Sequence, residues 1–390
     1  MHDLKKLYSD LLMTSLFGGV TDTSLFRRFF AWARATDKDE AIKAYADFVK
    51  TIYENGGSLT DCVHRLVFED ENVYVKMRAR GEAVSPEIET ALRAELSVLN
   101  RFASLSPEDF AADMELEYVS PFAHKKESLA ELYYERVEDI RKRGYGIFSS
   151  YPMFRLSDER TIEPIVSADK TSVEKFVGYE AERQKVIDNT LAFLLGKPAA
   201  NVLLEGDAGT GKSSTVKAVA NRFFDEGIRL IELRKDQLSY LPYVMGRVSE
   251  NPLKFIIFID DLSFNQNDDN FSMLKAALEG SASARADNAV IYATSNRRHI
   301  IKESFADRDG DDVHRNDTMQ ETLSLSERFG LVVHFSRPTK QLYLEIVHEL
   351  AERAGITLSG TELDLKAEEF ALRRGSRSAR CAEQFIDSLI

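Results

Sequence analysis

The sequence predicts an α/β protein with a parallel sheet and a small C-terminal group of helices, preceded by a mainly α-helical N-terminal domain. Three observations support this prediction. Residues 1–150 carry apolar residues at helical spacing. From residue 176 onward, short apolar runs alternate with helical stretches, as strands joined by crossover helices do. Residues 201–215 hold the spacing G-x-x-x-x-G-K-S between an apolar run and a helical stretch.

The N-terminal helices are predicted from apolar periodicity and from start and stop signals. Apolar residues recur at helical spacing over residues 25–33, 41–52 and 86–99. Ser106 followed by proline is typical of a helix start, and the stretch 128–143 ends at a glycine. We interpret the apolar stripes as the core of a helical domain over residues 1–150.

The rest of the chain divides by composition and pattern. Residues 151–175 contain two prolines and several Ser and Thr, so we predict a linker there, with short strands over 154–156 and 162–166. Residues 176–337 are predicted as the α/β core and residues 338–390 as a helical lid. Strands are predicted at 201–204, 229–233, 255–259, 289–293 and 331–335, and helices at 180–195, 213–224, 237–249, 271–278, 341–353, 362–373 and 379–389.

Composition narrows the class of protein. The chain has 390 residues and a formal net charge of −13, and neither half is basic, so no broad surface for nucleic acid is indicated. No apolar run approaches the ~20 residues of a membrane span, and the N-terminus lacks a signal-peptide core. The only cysteines, Cys62 and Cys381, exclude a disulfide framework. We therefore predict a cytoplasmic protein.

The motif at residues 206–214 predicts a phosphate-binding loop. Glycines let the backbone bend so that N–H groups point at a phosphate chain, and the following helix adds the positive end of its dipole. Lys212 is predicted to reach the β- and γ-phosphates of ATP, and the Ser213 hydroxyl to bind Mg²⁺. The predicted nucleotide-binding residues are Gly206, Asp207, Ala208, Gly209, Thr210, Gly211, Lys212, Ser213 and Ser214.

Polar side chains follow two later strands of the predicted sheet. The apolar strand 255–259 ends in Asp260 and Asp261, and the strand 289–293 leads to Asn296. Ligands of open α/β sheets bind at the carboxyl ends of the strands, so these groups are expected beside the phosphates. We predict that Asp260 holds Mg²⁺ through water, that Asp261 orients or deprotonates the attacking water, and that Asn296 reaches that water.

With these motifs, residues 173–390 resemble the AAA+ ATPase superfamily. More narrowly, they resemble a bacterial family of AAA+ ATP-binding proteins of unassigned function. The segments that carry this narrower resemblance are 201–219, 258–264, 274–280, 293–299 and 324–330. The resemblance implies a P-loop AAA+ sheet with a small C-terminal helical lid, and hydrolysis of ATP with Mg²⁺.

The resemblance also implies roles for residues outside the three motifs. Arg328 stands at the arginine-finger position, which implies a homo-oligomeric ring, often six-membered, in which this residue acts on the neighbour's nucleotide. Arg377 is the first choice for the lid residue that senses the nucleotide, and Arg380 is the second. Val177 and Gly178 lie in the segment that packs near adenine in the superfamily.

One departure from the superfamily leaves the biological role open. Many AAA+ proteins end the 255–261 strand in Asp-Glu, whereas this chain has Asp260 and Asp261. The shorter carboxylate suggests slow turnover, because proton transfer requires close contact. Our leading hypothesis is an ATPase that remodels or assembles a protein client bound by residues 1–150. The alternatives are an initiator-like or helicase-loader-like ATPase on DNA, which the Asp-Asp ending resembles, and a slow nucleotide switch.

Overall fold

The structure is a computed structural model that describes residues 4–167, 171–262, 269–278, 286–296 and 327–390. The first two residues of the arginine-finger segment, 325 and 326, lie outside the described residues, as do parts of the segments 258–264, 274–280, 293–299 and 324–330. The chain forms two compact units that divide between Ser150 and Tyr151. Each unit is described by itself.

The first unit is helical. Several of its helices begin at Ser, Asn or Asp caps: Ser85, for example, accepts a hydrogen bond from the Ile88 amide, and Ser106 forms a capping box with Asp109. The helices are α1 (Leu4–Leu12), α2 (Gly18–Thr21), α3 (Ser24–Arg34), α4 (Lys38–Glu54), α5 (Leu59–Phe68), α6 (Val73–Arg80), α7 (Pro86–Ala103), α8 (Pro107–Met114), α9 (Leu129–Glu138) and α10 (Ile140–Arg143), followed by a 3₁₀ turn at Gly146–Ser149.

Aromatic side chains form the centre of this unit. The rings of Phe26 and Phe29 lie 4.5 Å and 4.8 Å from that of Phe102, and Phe110 packs on Trp32 at 4.9 Å. All five side chains are buried. The aromatic run in α3 therefore packs as core, which agrees with the apolar stripes being structural.

The carboxyl group of Asp70 makes the stability of this unit depend on pH. Burial raises the pKa of Asp70 from 3.8 to about 6, although Asn72 donates a hydrogen bond to it. Because the folded-state pKa is the higher one, the stabilisation is complete below pH 3.8 and is lost as the pH rises through about 6. We expect the free energy of unfolding of the unit to fall over this window, and Asp70→Asn to remove that fall.

Trp32 provides the measurement, because it is the only tryptophan and reports on the first unit. Urea unfolding followed by its fluorescence at several pH values gives the profile. Asp61→Asn is a control in which the pH dependence of stability has the opposite direction. A hydrogen bond from Lys125 lowers the pKa of Asp61, so the small stabilisation that this carboxylate provides is lost as the pH falls. Identical profiles for Asp70→Asn and the unaltered chain would refute the prediction.

The second unit is built on a seven-stranded sheet with the order β2-β1-β4-β5-β6-β3-β7. The β1–β2 pair is antiparallel and the other pairs are parallel. The central strands are almost wholly apolar, as expected for strands buried on both faces. The strands are β1 (Met153–Leu156), β2 (Ile162–Pro164), β3 (Val202–Gly206), β4 (Ile228–Leu233), β5 (Lys254–Ile259), β6 (Ala289–Ser295) and β7 (Leu331–Phe335).

Helices connect these strands and follow the last one. The helices of the second unit are α11 (Glu180–Leu194), α12 (Lys212–Arg222), α13 (Leu241–Ser249), α14 (Asp269–Leu278), α15 (Lys340–Arg353), α16 (Gly360–Arg374) and α17 (Ala379–Asp387). The mixed α/β architecture with a mostly parallel sheet is as predicted. In the described part of the chain, every helix is too short or too polar to cross a membrane.

The short strands predicted within the segment 151–175 are present as β1 and β2, but they form a hairpin that is part of the sheet, where a linker was predicted. Strand β1 runs parallel to β4, and Gln237 donates a hydrogen bond to the Leu156 carbonyl oxygen at 3.0 Å. Prolines and hydroxyl side chains break a helix, but they are compatible with a short strand at the edge of a sheet. The difference arises because the strand pairs with a segment about 75 residues later, which the local pattern does not reveal.

Candidate functional site

The carboxyl ends of β3, β5 and β6 meet at one edge of the sheet. Leu204 in β3 pairs with Thr294 in β6, and Ile259 in β5 pairs with Ala293. The residues that follow each strand therefore lie side by side, although they are far apart in sequence. This arrangement places the loop after β3 next to Asp260 and Asp261.

The loop after β3 folds around the side chain of its own lysine. Lys212 begins α12, is buried, and donates hydrogen bonds to the carbonyl oxygens of Gly206 and Asp207 at 2.9 Å and 2.7 Å. Thr210 closes the loop with a 2.9 Å hydrogen bond to the Asp207 carbonyl. Burial lowers the pKa of Lys212, while Asp207, Asp260 and Asp261 act against that shift. The result is a fixed cation at the N-terminus of a helix, where anions bind.

Hydroxyl and carboxyl groups contact each other beside this loop. The Ser213 hydroxyl donates to Asp260 Oδ1 at 2.6 Å, and Asn296 Nδ2 donates to Asp261 Oδ1 at 2.8 Å. Asp261 has a φ of 51°, which is unusual for a residue with a side chain and directs the chain sharply out of β5. The structure therefore brings together four residues that three separate motifs had singled out.

Ser213 and Asp260 suit a magnesium ion chemically. Mg²⁺ prefers hard oxygen ligands, usually one or two from protein with phosphate oxygens and waters completing the shell. Here a hydroxyl and a carboxylate oxygen touch each other at the loop that carries Lys212. The two residues can therefore hold the ion together with a phosphate chain.

A cavity of about 340 Å³ opens over these groups, a size within the usual range for small-molecule sites. Its lining includes polar groups, from the loop and the two aspartates, and the apolar side chains of Phe176, Val177, Ile346 and Leu350. A lining of both kinds matches a ligand with a charged chain and a flat ring system.

Arg183 is a lining residue that the sequence did not single out. It is buried, its guanidinium lies 5.5 Å from the Phe176 ring centroid, and it pairs with the exposed Glu180 at 3.3 Å. Burial lowers its pKa. Its position in the first turn of α11 gave no local signal, because an arginine on a helix usually lies on a solvated face.

The C-terminal helices contact the loop at Gly209. A β-carbon built on Gly209 would lie 3.0 Å from Ser378 Oγ and 3.3 Å from Arg380 Cβ, and the Arg380 amide donates to the Gly209 carbonyl at 3.4 Å. Gly209 has a φ of 77°. Both observations favour glycine here, since a side chain would strain the backbone and would need Ser378 and Arg380 to shift slightly.

Of the two lid arginines, Arg380 lines the cavity and Arg377 does not. Arg377 donates two hydrogen bonds to Glu368 at 2.9 Å and 3.0 Å, and this pairing lowers the pKa of Glu368. Arg377 lines a separate cavity of about 220 Å³, with Asp207 and Ala208. The sequence preference was for Arg377, whereas in the structure this side chain pairs with Glu368 and lines the separate cavity.

Val177 and Gly178, both predicted from the sequence, take different positions. Val177 lines the cavity, whereas Gly178 packs under Leu342 of α15, whose Cδ1 would lie 2.6 Å from a β-carbon at that position. Tyr179 fixes this segment to the sheet, because its hydroxyl donates to the Ser336 carbonyl oxygen at 2.6 Å. The segment therefore joins the sheet to the C-terminal helices.

Arg328 lies apart from these groups. It is half-buried and precedes Phe329, which is fully buried, and Gly330. It is not among the described residues that line the cavity of its own chain. The predicted residues that do line it are Val177, Ala208, Gly209, Thr210, Gly211, Lys212, Ser213, Ser214, Asp260, Asp261 and Asn296.

A family assignment follows from the comparison with known protein families. The family described as "Protein of unknown function (DUF815)" matches residues 149–390, which is more than half of the chain. The chain belongs to this family. The match covers the whole sheet and the C-terminal helices, and so includes all the residues of the cavity described above. No curated protein matches the chain.

Among solved structures, the chain is similar to the RuvB Holliday junction branch migration motor of Thermotoga maritima. The identity is 13%, the TM-score is 0.35, and the alignment covers 57% of this chain and 72% of that one. Two single-residue variants of the same protein give 14% identity and TM-scores of 0.35 and 0.36. At this level of identity and structural similarity, nothing follows about the activity of this chain.

Proposed function

We propose that the chain is an AAA+ type ATPase that binds ATP with Mg²⁺ and hydrolyses it to remodel or assemble a protein client. One observation carries the proposal. The Ser213 hydroxyl, Asp260, Asp261 and Asn296 form hydrogen-bonded pairs at the mouth of the loop that holds Lys212. Phosphoryl transfer depends mostly on positioning and electrostatic stabilisation, and these groups supply both.

Each residue has a defined role in this proposal. The loop amides and Lys212 hold the phosphates, and Ser213 and Asp260 hold the metal ion, which when bound neutralises charge on the phosphate oxygens. Asp261 accepts a proton from water, and Asn296 orients the Asp261 carboxylate through its amide. Arg380 is the lid residue that faces the phosphates. Phe176, Val177, Ile346 and Leu350 receive the base.

The direct test measures nucleotide binding and phosphate release by the unaltered chain. We expect ATP to bind more tightly with Mg²⁺ than with EDTA, and phosphate to be released steadily, though slowly. Binding without any release would leave a nucleotide switch as the function. Absence of Mg²⁺-dependent binding would refute the proposal altogether.

Lys212→Ala tests the phosphate site. Charge-assisted hydrogen bonds contribute roughly 1.5–3 kcal/mol, so we expect the affinity for Mg-ATP to fall about 10- to 100-fold. Stability should change less, because the lysine is costly to bury in the absence of an anion. Fluorescent nucleotide titration measures the affinity, and urea unfolding the stability.

Lys217→Ala is the matched control. Lys217 lies on the same helix but pairs with Glu232 at 3.2 Å and does not line the cavity. Its replacement should leave nucleotide affinity unchanged. Equal losses in the two variants would mean that the helix as a whole, and not the Lys212 ammonium, determines binding.

Arg328→Ala tests the assembly that the proposal includes. A finger that acts on the nucleotide of a neighbouring subunit is needed for turnover and not for binding. We expect unchanged nucleotide affinity and reduced phosphate release. Mixing this variant with an inactive Lys212→Ala chain should restore part of the activity, because each supplies what the other lacks. Full activity of Arg328→Ala alone would argue for a monomeric mechanism.

The helical first unit is the part of the chain available for client binding in this proposal. Its core is closed by aromatic packing. Phosphate release stimulated by a protein client, and not by DNA at low salt, would support this assignment. Stimulation by DNA alone would favour the initiator-like alternative.

A further inference from the structure

The strand-end threonine Thr294 lies between the two aspartates of the site. It is in β6, is 2% exposed, and stands one position beyond the last β5–β6 pair, Ile259 with Ala293. It therefore lies beside the point where β5 ends and Asp260 begins. In the sequence it is an ordinary β-branched strand residue, and nothing in its local pattern marks it for function.

Three hydrogen bonds tie Thr294 to the chain after β5. Its hydroxyl donates to Asp260 Oδ1 at 2.5 Å and accepts from the Asp261 amide at 2.9 Å. Its carbonyl oxygen accepts from the Leu262 amide at 2.7 Å. A hydroxyl offers one donor and two acceptor sites, so the first two bonds use one of each kind.

The hydroxyl has a different effect on each aspartate. For Asp260, it adds a second hydroxyl donor to the oxygen that Ser213 already contacts, and so fixes the rotation of the carboxylate. For Asp261, it holds the backbone amide of a residue with φ 51°, a conformation that costs energy for any residue with a side chain. The Thr294 side chain thus bonds to both Asp260 and Asp261.

We propose that Thr294 is a positioning residue of this site, whose hydroxyl sets the orientation of the Asp260 carboxylate toward Mg²⁺ and the turn that aims Asp261. This inference rests on the proposed function, because it assumes that Asp260 holds the metal ion. The partners of metal ligands orient those ligands, and their loss typically lowers metal affinity or activity about 10- to 100-fold. Thr294 is such a partner, and it acts through the aspartates without touching the nucleotide.

The experiment compares Thr294→Val with Thr294→Ser. Valine keeps the branched shape that suits a strand but lacks the hydroxyl, whereas serine keeps the hydroxyl and loses only a methyl group. The primary readout is the tightening of fluorescent ATP binding when Mg²⁺ replaces EDTA. We expect Thr294→Val to lose about tenfold of that tightening, with binding in EDTA unchanged, and Thr294→Ser to keep it.

Two further measurements complete the test: the rate of phosphate release, and the effect of Thr294→Val in a chain that already carries Asp260→Asn. The rate of phosphate release should fall about 10- to 100-fold in Thr294→Val and stay near that of the unaltered chain in Thr294→Ser. In an Asp260→Asn background, Thr294→Val should add no further loss of tightening, because the residue acts through Asp260. Thr294→Ala serves in place of the valine variant if that variant does not fold, since alanine also removes the hydroxyl.

Three outcomes would overturn the inference. In the first, Mg²⁺ tightens ATP binding in Thr294→Val as much as in the unaltered chain. In the second, the valine and serine variants lose this tightening equally. In the third, Thr294→Val loses further tightening in the Asp260→Asn background. The second would mean that packing, and not the hydroxyl, matters at this position. Failure of the proposed function would appear earlier and differently, as absence of Mg²⁺-dependent ATP binding in the unaltered chain.

Discussion

Replacing Asp261 by asparagine is expected to slow phosphate release by about 100-fold or more, with nucleotide affinity equal to or tighter than that of the unaltered chain. Asparagine has nearly the same shape and keeps an oxygen that can accept the hydrogen bond from Asn296. It cannot accept a proton from water. It also removes a negative charge from the site at which we propose that phosphates bind, so binding should not weaken. Coupled phosphate-release and nucleotide-titration assays separate the two effects.

Asp158→Asn is the control for this variant. Asp158 is exposed and pairs with Arg234 at 2.8 Å on the β1–β2 hairpin, outside the cavity. Its replacement should leave both measurements unchanged. Retained turnover in Asp261→Asn would assign proton transfer to another group. A large loss of affinity in Asp261→Asn would mean that the carboxylate holds the site together and does not act on water.

Gly206→Ala is expected to destabilise the second unit more than any other single substitution considered for this chain. A β-carbon at Gly206 would lie 1.9 Å from the Phe335 carbonyl oxygen and 2.7 Å from its carbonyl carbon. The backbone there has a φ of 141°, a region open almost only to glycine. Overpacking and backbone strain each cost roughly 1–3 kcal/mol, so we expect a loss of about 4 kcal/mol.

The clash involves two backbones, so no side chain can rotate to relieve it. Gly206 pairs with Phe335 at the end of the β3–β7 ladder, and relief requires β7 to move from β3. Gly211→Ala is the matched control, because Gly211 also has a positive φ, 85°, but open space at its β-carbon. It should lose only about 1–2 kcal/mol. Urea unfolding followed by far-UV circular dichroism measures both, and equal losses would contradict the clash.

Much of the second unit is predictable from local pattern. The strand at 331–335 and the helix starts at residues 180 and 379 agree with the sequence expectations. The stretch 237–249 differs, because it is a 3₁₀ helix at Lys235–Tyr240 followed by α13. Pro242 explains the break, since proline is favoured in the first turn of a helix and disfavoured inside one. That signal was present in the sequence.

Local sequence pattern predicts some residues of the site and not others. Some of them can be predicted from local sequence, because the glycine loop and the polar strand ends are recognisable patterns. These are Gly206, Lys212, Ser213, Asp260 and Asn296. Arg183 and Thr294 cannot be predicted in this way. Each is an ordinary residue for its helix or strand. Arg183 joins the site as part of the cavity lining, beside Phe176, and Thr294 joins it through hydrogen bonds to Asp260 and Asp261.

The sequence by itself determined that this chain has a helical part, a parallel sheet and a glycine-rich loop between a strand and a helix, since periodicity and glycine spacing are local properties. The tertiary structure decided that 151–164 joins the sheet, that Arg380 rather than Arg377 faces the cavity, and that Thr294 bonds to both aspartates. The physical reason is that strand order and ion pairing, such as that of Arg377 with Glu368, join residues that the chain keeps apart.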